Sequence, residues 1–440
     1  MRKLERAPVF NPAILSKYAS IAGNEAAQKV LSEIHEQYNF WDKVKHKPVG
    51  DIPAEDIWMM AKLKRMGGYT HLKFGGYQFR WTVNDMLQGY LHFLDLNIGG
   101  SLESTSIVSR EDKNRYLISS IMEEAIASSQ IEGAATTRQK AKEMLRKNAK
   151  PTNKSEQMIM NNYVTIQKIL EIKAEPLNKE NLLALHKLVT ANTMVAASEE
   201  GAFRADNDID VIDAATGEVV HHPPDVVEID ALLNDLYVFF NEDNDDQFIH
   251  PLIKGCIIHF MIGYIHPFAD GNGRTARALF YWYLLRKGYW LTEYLSISRL
   301  ILRAKAQYAR AYQYTEIDDH DLTYFILFNL KTMKLSFEEL RSYIQRKNEE
   351  KMKLSNFMKI DSITYKQALI LEWFYKEPAL MLTSKEAENR LAVSTVAARK
   401  NLMHLVEMGY LSLIDLDKKK NGFIRSEKFE ELVRSVNTDR

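Results

Sequence analysis

Apolar positions at helical spacing dominate this chain of 440 residues. From Arg115 to Ile131 the apolar set Leu117, Ile118, Ile121, Met122, Ala125 and Ile126 recurs at helical intervals, which predicts an amphipathic helix stopped by Gly133. Pro251 to Ile265 is an apolar run that predicts a helix, and Arg274 to Arg286 predicts another. Between them the chain must turn sharply. Gly271 and Gly273 offer the positive φ that such a turn needs. Two extended stretches, Asp208 to Ile212 and Glu218 to His221, flank Ala214-Ala215-Thr216-Gly217 and predict a β-hairpin with a longer loop, ended by Pro223-Pro224. Residues 1–112 mix short helical runs with the pairs Gly67-Gly68 and Gly75-Gly76, and hold Trp41, Trp58 and Trp81. Arg341 to Lys359 is a strongly charged helical run, read as a solvated linker helix.

Composition narrows the picture. Lys+Arg and Asp+Glu number 58 each, so no global field selects a polyanionic partner. A hydrophobic fraction of 46% is ample for globular cores. No stretch approaches the ~20 apolar residues of a membrane span, and Met1 to Leu15 lacks an apolar signal segment. A single cysteine, Cys256, excludes an intrachain disulfide and suits a reducing cytoplasm. Cys256 and His259 are three apart, with His250 and His266 nearby, but all lie along the apolar run. With no second spaced pair, core packing is the expectation rather than zinc.

The chemistry concentrates in His266-Pro267-Phe268-Ala269-Asp270-Gly271-Asn272-Gly273-Arg274-Thr275-Ala276-Arg277. Successive N–H groups at a helix N-terminus form an anion-binding nest. Arg274 and Arg277 share one helix face. In outline this is a triphosphate site with a histidine beside it. The run resembles the signature of the Fic-domain family, His-x-Phe-x-Asp/Glu-Gly-Asn-Gly/Lys-Arg-x-x-Arg, at every defined position. His250-Pro251, His259-Phe260, Asp321-Leu322-Thr323 and Phe325 extend the resemblance, which covers roughly residues 50 to 345.

The resemblance implies a mainly α fold: a Fic-type helical core with a short β-hairpin flap. It implies transfer of AMP from ATP to a Ser, Thr or Tyr hydroxyl of a protein. His266 would be the general base, and Asp270 would hold Mg²⁺. Gly271, Asn272 and Gly273 would cradle the phosphates through backbone donors, with Arg274 and Arg277 clamping the β and γ groups. Flap residues Asn207, Asp208, Ile209 and Asp210 would lie against ATP, and Tyr308 would stand near the adenine. The flap would hold the target by strand pairing. Asp208, Asp210 and Asp213 make it acidic. Where the family often has an asparagine after the tyrosine, this chain reads Tyr314-Thr315-Glu316, which leaves the choice of base open.

Ser128-Ser129-Gln130-Ile131-Glu132-Gly133 matches a second family pattern, Ser/Thr-x-x-x-Glu-Gly/Asn, which marks an inhibitory helix. Ser128 and Glu132 are helical neighbours, and a glutamate at a helix C-terminus faces the macrodipole, so it needs a compensating partner or lies in water. The resemblance gives Arg277 as that partner, in the place of the ATP γ-phosphate. The same glutamate aligns a water for AMP removal in some members, so inhibition and the reverse reaction both stand.

Residues 363–440 have their own pattern. Lys366 to Tyr375 reads as a helix ended near Pro378. Thr383 or Ser384 caps Lys385 to Leu391, and Ser394 or Thr395 caps a longer helix stopped by Gly409. Leu411 to Asp415 and Gly422 to Arg425 flank a lysine-rich hairpin tip. This order resembles a winged helix. A DNA reading puts Thr395, Arg399 and Lys400 in the major groove and Lys418, Lys419 and Lys420 on phosphates. From Lys385 to Arg440, however, 11 Lys+Arg face 9 Asp+Glu, a weak footprint.

The expected layout is 1–112, a helical segment on the core; 113–345, the catalytic core with its inhibitory helix; 346–362, a charged linker; and 363–440, the winged-helix-like module. Expected partners are a protein hydroxyl target and a second copy of the chain, with the last module open to protein contact or to DNA, and no membrane. The competing function class is a DNA-binding regulator whose core senses a nucleotide. Such a sensor needs the nest and arginines but no base, so His266 favours the enzyme.

Overall fold

The structure, a computed structural model, describes residues 4–99, 113–212, 216–243, 247–358, 360–417 and 420–438. The chain divides into two compact units, Met1–Leu340 and Arg341–Arg440.

The first unit opens with α1 (Tyr18–Ala22), α2 (Glu25–Glu36), α3 (Trp41–Val44) and α4 (Ala54–Met66). The Asn24 side chain accepts from Ala27 N–H and so starts α2. Between Gly68 and Thr82 the chain forms an antiparallel hairpin, β1 (Thr70–Phe74) and β2 (Tyr77–Trp81), with Thr70 opposite Trp81 and Phe74 opposite Tyr77. Gly75 takes φ 53° at its tip. The glycine pair is therefore a hairpin turn, which helical expectations for this segment did not include. Phe74, Phe79 and Trp81 point into the core.

Next come α5 (Asp85–Ile98), α6 (Lys113–Ile131), α7 (Arg138–Lys147), α8 (Lys154–Ile172) and α9 (Lys179–Thr190). Asn84, Thr137, Asn153 and Asn178 cap four of these helices through side-chain oxygens. The hairpin β3 (Val211–Ile212) and β4 (Val219–His221) follows. Then come α10 (Ile229–Asn241), α11 (Pro251–Ile265), α12 (Asn272–Arg286), α13 (Ile297–Arg303), α14 (Lys305–Ile317) and α15 (Thr323–Met358).

Helix α11 is the axis of this unit. Pro251 sits in its first turn, His250 accepts from Leu252 N–H at 3.2 Å, and every residue from Leu252 to Ile262 is buried. A helix apolar on all sides belongs in an interior. Helix α6 differs from the amphipathic expectation: Ile118 is exposed, while Ile121 to Ser129 are all buried. Its C-terminal half is enclosed, packing against α8 and α13. The charged run from Arg341 to Met358 is the C-terminal part of the single helix α15.

In the second unit, α16 (Tyr365–Lys376), β5 (Leu382–Thr383), α17 (Ser384–Leu391), α18 (Thr395–Glu407), β6 (Leu411–Asp417), β7 (Lys420–Arg425) and α19 (Phe429–Thr438) succeed one another. Thr364 with Gln367, and Thr383 with Glu386, form capping boxes. Ser394 caps α18, and Gly409 takes φ 81° beyond it. The antiparallel sheet runs β5-β7-β6 over a core that includes Phe374, Leu402, Leu405, Phe423 and Phe429. Neither β5 nor α19 was expected from the sequence. Arg425 donates to Phe374 O and Tyr375 O, tying β7 to the end of α16.

Candidate active site

The turn between α11 and α12 is fixed by its own side chains. His266 closes α11 in the left-handed region, φ 49°, with its N–H still bonded to Ile262 O. Gly271 takes φ 87° just before α12. A Cβ there would meet Thr190 Cγ2 at 2.7 Å, so glycine is required twice over. Asn272 is buried and braces the turn, accepting from Phe268 N–H at 3.0 Å and donating to Phe268 O at 2.8 Å. Gly273 departs from the expectation of positive φ: it lies inside α12. Its missing side chain matters differently, because a Cβ would run into Glu132 Oε1.

His266 Nδ1 lies 3.3 Å from Gly263 O, which can only accept, so Nδ1 carries the proton and Nε2 is left as a free base. Burial pushes the ring down to about 4, helped by nearby His221 and Arg204 and opposed by Gly263 O and Glu132. Asp270 is half exposed. Its Oδ1 accepts from Gly271 N–H and stands 3.6 Å from Arg274 Nη2.

Both arginines are buried, an expensive placement without anionic partners. Arg274 Nη1 donates to Val189 O at 2.9 Å, while its Nε and Nη2 have no hydrogen-bond acceptor among the described residues. Arg277 is wrapped by α6. Its Nε donates to Ser128 Oγ at 2.9 Å, and its Nη2 donates to Ser128 O at 3.0 Å and to Glu132 Oε1 at 2.9 Å. Its Nη1 is left without an acceptor. Lys305 Nζ donates to Ile131 O at 2.5 Å, and Gly133 takes φ 93° beyond. The C-terminus of α6 is therefore offset by two cations, which answers the macrodipole's objection to Glu132.

Sequence reasoning passed over His186 and Glu124, and noted Arg204 only as the arginine that precedes the flap. His186 on α9 is wholly buried and stacks on Phe268 at 3.7 Å. Its Nε2 donates to Asp270 O at 2.8 Å and its Nδ1 accepts from Gly201 N–H at 3.1 Å. The stack and the two bonds hold the turn from beneath. Nothing in Leu185-His186-Lys187 marks this role. Glu124, two helical turns before Glu132, accepts from Ser298 N–H at 2.9 Å and from the Ser298 hydroxyl, at the start of α13. Burial pushes its carboxyl above the usual range, against the lowering effect of those bonds. Arg204 donates to His266 O at 3.1 Å, Asp206 O at 2.7 Å, Asn207 Oδ1 at 3.1 Å and Pro224 O. It thereby joins the His266 turn to both roots of the β3–β4 flap.

The remaining sequence candidates lie as follows. Asn207 is exposed, with its side chain engaged by Arg204, Val226 N–H and Asp225. Asp208 is exposed, Ile209 is partly buried, and Asp210 pairs with His222 at 2.8 Å. Asp213 lies outside the described residues. Tyr308 on α14 bonds His259 Nε2 at 2.8 Å, within an aromatic group that includes Tyr312 and Phe325. His259 is buried and pushed down to about 3, and Cys256 is buried with its thiol pushed up. Among the described residues no His/Cys/Asp/Glu group could hold a metal by itself. In the second unit Arg399 and Lys400 are exposed on α18, while the Thr395 hydroxyl is held by Glu388. Lys418 and Lys419 lie outside the described residues, and Lys420 begins β7.

Residues 176–284, a quarter of the chain, match the Fic/DOC family model. The protein called protein adenylyltransferase Fic in Nematostella vectensis is 30% identical over 120 residues, 27% of this chain and 25% of that protein. The protein of the same name in Aedes aegypti is 38% identical over 69 residues, 16% of this chain and 14% of its own length. The chain thus spans a quarter or less of these relatives. A Fic family protein from Desulfovibrio desulfuricans G20 shares the fold, with TM-score 0.51 and 20% identity, over 80% of this chain and 99% of that one. Among the described residues no helix is long and apolar enough to cross a membrane.

Proposed function

We propose that this protein is a nucleotidyltransferase that moves AMP from ATP to a hydroxyl side chain of a protein, and that Glu132 holds it off. The carrying observation is the pair of buried arginines. Arg274 Nε and Nη2 and Arg277 Nη1 are buried donors without acceptors among the described residues, gathered at one turn. Phosphate oxygens suit guanidinium geometry. Glu132 stands on Arg277 at 2.9 Å, where a terminal phosphate would compete with it.

In the reaction the target oxygen attacks the α-phosphorus. The new O–P bond forms as the bond to the bridging oxygen of the leaving pyrophosphate breaks. His266 Nε2 takes the hydroxyl proton, which its depressed basicity and free lone pair allow at neutral pH. The α12 N-terminus and the two arginines receive the charge that develops on the departing phosphates. Asp270, a half-exposed hard donor beside the nest, would hold a magnesium ion, which would supply neutralisation of the pyrophosphate charge. Asn272 and His186 keep the turn in shape, and Arg204 keeps the flap beside it. The reading as a DNA-binding regulator has less support, because the Thr395 hydroxyl is occupied and the charge from Lys385 to Arg440 is nearly balanced.

The test is incubation of wild type, Glu132→Gly, and Glu132→Gly with His266→Ala, with α-labelled ATP and Mg²⁺. Protein-bound label appears strongly in Glu132→Gly alone. No label in any folded form, with added cell lysate as a source of targets, would remove the transfer reading.

A further inference from the structure

Among the described residues the flap's ladder is Val211 opposite His221 and Ile212 opposite Val219, with a register shift between them. A two-stranded hairpin of that size is not stable alone in water. Something outside the ladder must set its height over His266.

His221, the last residue of β4, turns its ring inward and is 8% exposed. Its Nε2 lies 2.7 Å from Tyr264 O and its Nδ1 lies 2.8 Å from Glu316 Oε2. The carbonyl can only accept, so Nε2 bears a proton. Nδ1 faces a Glu316 carboxyl oxygen, which accepts from it when the ring carries both protons. In that form both ring nitrogens donate. Burial pulls this histidine down, but the hydrogen bond and charge of Glu316 outweigh it, helped by Tyr264 O and by Asp210, and leave it above its ordinary value. Tyr264 O is a last-turn carbonyl of α11, two residues before His266, where a cation also complements the helix dipole. The other groups at this contact are the Tyr264 ring, 5.2 Å away, His320, which burial lowers and Glu316 raises, and His266, whose own basicity the His221 charge lowers.

We propose that His221 and Glu316 are positioning residues: a charged anchor that registers the flap, and with it an acceptor segment paired to the flap, over His266. This rests on the transfer reading above and adds how the acceptor is held. It also gives a use to Glu316, which stands where the sequence departs from the family's asparagine: its carboxylate serves the flap rather than the base of the nucleotide. Because the folded-state value of His221 is raised, the anchor is complete below the ordinary 6.5 and is lost as pH rises through the raised value.

The experiment follows hydrogen exchange of flap amides 216–222 in the intact chain, as wild type, Glu316→Gln and His221→Gln, from pH 6 to pH 9. Intrinsic exchange is corrected for, and ring nitrogens are read by ¹⁵N-histidine NMR, with His221 assigned by its loss in His221→Gln. In wild type at pH 6 both His221 nitrogens are protonated, and flap protection falls as that proton leaves. Glu316→Gln speeds flap exchange about tenfold at pH 6 and removes the pH dependence, while α11 and α12 stay protected. A merely structural contact would not tie protection to the proton on His221. In a Glu132→Gly background, Glu316→Gln leaves the affinity for a fluorescent ATP analogue within about twofold. A neutral His221 at pH 6, or flap exchange indifferent to Glu316→Gln, overturns the anchor. So does a tenfold change in nucleotide affinity with the flap unchanged, which would make Glu316 a reader of the base. These readouts need no transfer, so loss of the transfer reading would show separately, as absence of label with an intact anchor.

Discussion

His266 and Arg277 are each controlled by which of their nitrogens is occupied. His266 spends Nδ1 on Gly263 O and keeps Nε2 free, in surroundings that push the ring down to about 4. A base is useful only when unprotonated, so activity rises with pH through that depressed value. In the Glu132→Gly form kcat/KM, which reports the free enzyme, should lose activity only toward pH 4 to 5 and stay flat through 6.5. An acid limb at 6.5 would mean that burial does not govern this ring. Arg277 has three acceptors on α6, and Ser128 supplies two of them through Oγ and its carbonyl. Ser128→Ala removes only the hydroxyl. A hydrogen bond to a charged group contributes about 1.5–3 kcal/mol, so basal labelling should rise on the order of tenfold yet remain below that of Glu132→Gly. Labelling equal to wild type would mean that Glu132 alone holds the arginine.

At the scale of an element, α6 and the residue after it present a polar column: Glu124, Ser128 and Glu132, each one turn apart, meet α13 and then Arg277. The anchor and the brake share one rigid body. Glu124→Ala leaves Ser298 N–H without its acceptor, at a cost of about 1–3 kcal/mol, and loosens α6 without touching the arginines. Basal labelling of wild type should therefore move toward that of Glu132→Gly, with a modest fall in thermal midpoint. A lower midpoint with unchanged labelling would separate docking from the brake. The ends of α11 were legible because proline and histidine start it and glycines follow it, and the turn was legible because spacing alone puts its polar groups together. The hairpin β1–β2 was not recognised, although Leu72, Phe74, Phe79 and Trp81 flank Gly75-Gly76, because helical spacing on either side dominated the reading. Glu124 and His186 left no trace, since their partners, Ser298 and Asp270, are far along the chain. Helix α6 was read as amphipathic because one sequence window cannot reveal that other helices cover its second face.

Across the whole first unit, residues 38–81 are fastened to residues 318–324 by a buried polar network. Lys62 Nζ donates to Asp318 Oδ1 at 2.7 Å, and Tyr324 OH to Asp318 Oδ2 at 2.8 Å. Arg65 reaches Tyr324 OH at 2.8 Å and Asn39 O at 2.9 Å. Tyr38 OH and Tyr69 OH both donate to Asp321 Oδ2, at 2.6 and 2.9 Å. The β2 strand adds backbone bonds, Arg80 N–H to His320 O and Leu322 N–H to Arg80 O. Lys62, Arg65, Asp318 and Asp321 are all buried. Removing one partner of such a network strands the others, which typically costs about 3–5 kcal/mol, whereas an exposed pair contributes about 0–1 kcal/mol. Urea unfolding of Asp318→Ala should show the larger loss, and loss of the exposed pair Lys17–Asp56 through Lys17→Ala the smaller. The consequence reaches the site, because Asp318 directly follows α14, the helix that carries Tyr308 and Glu316. Asp318→Ala should therefore also speed exchange of flap amides 216–222 under conditions where the chain remains folded. Global destabilisation with flap exchange at the wild-type rate would show that the network stabilises the unit without setting the position of α14.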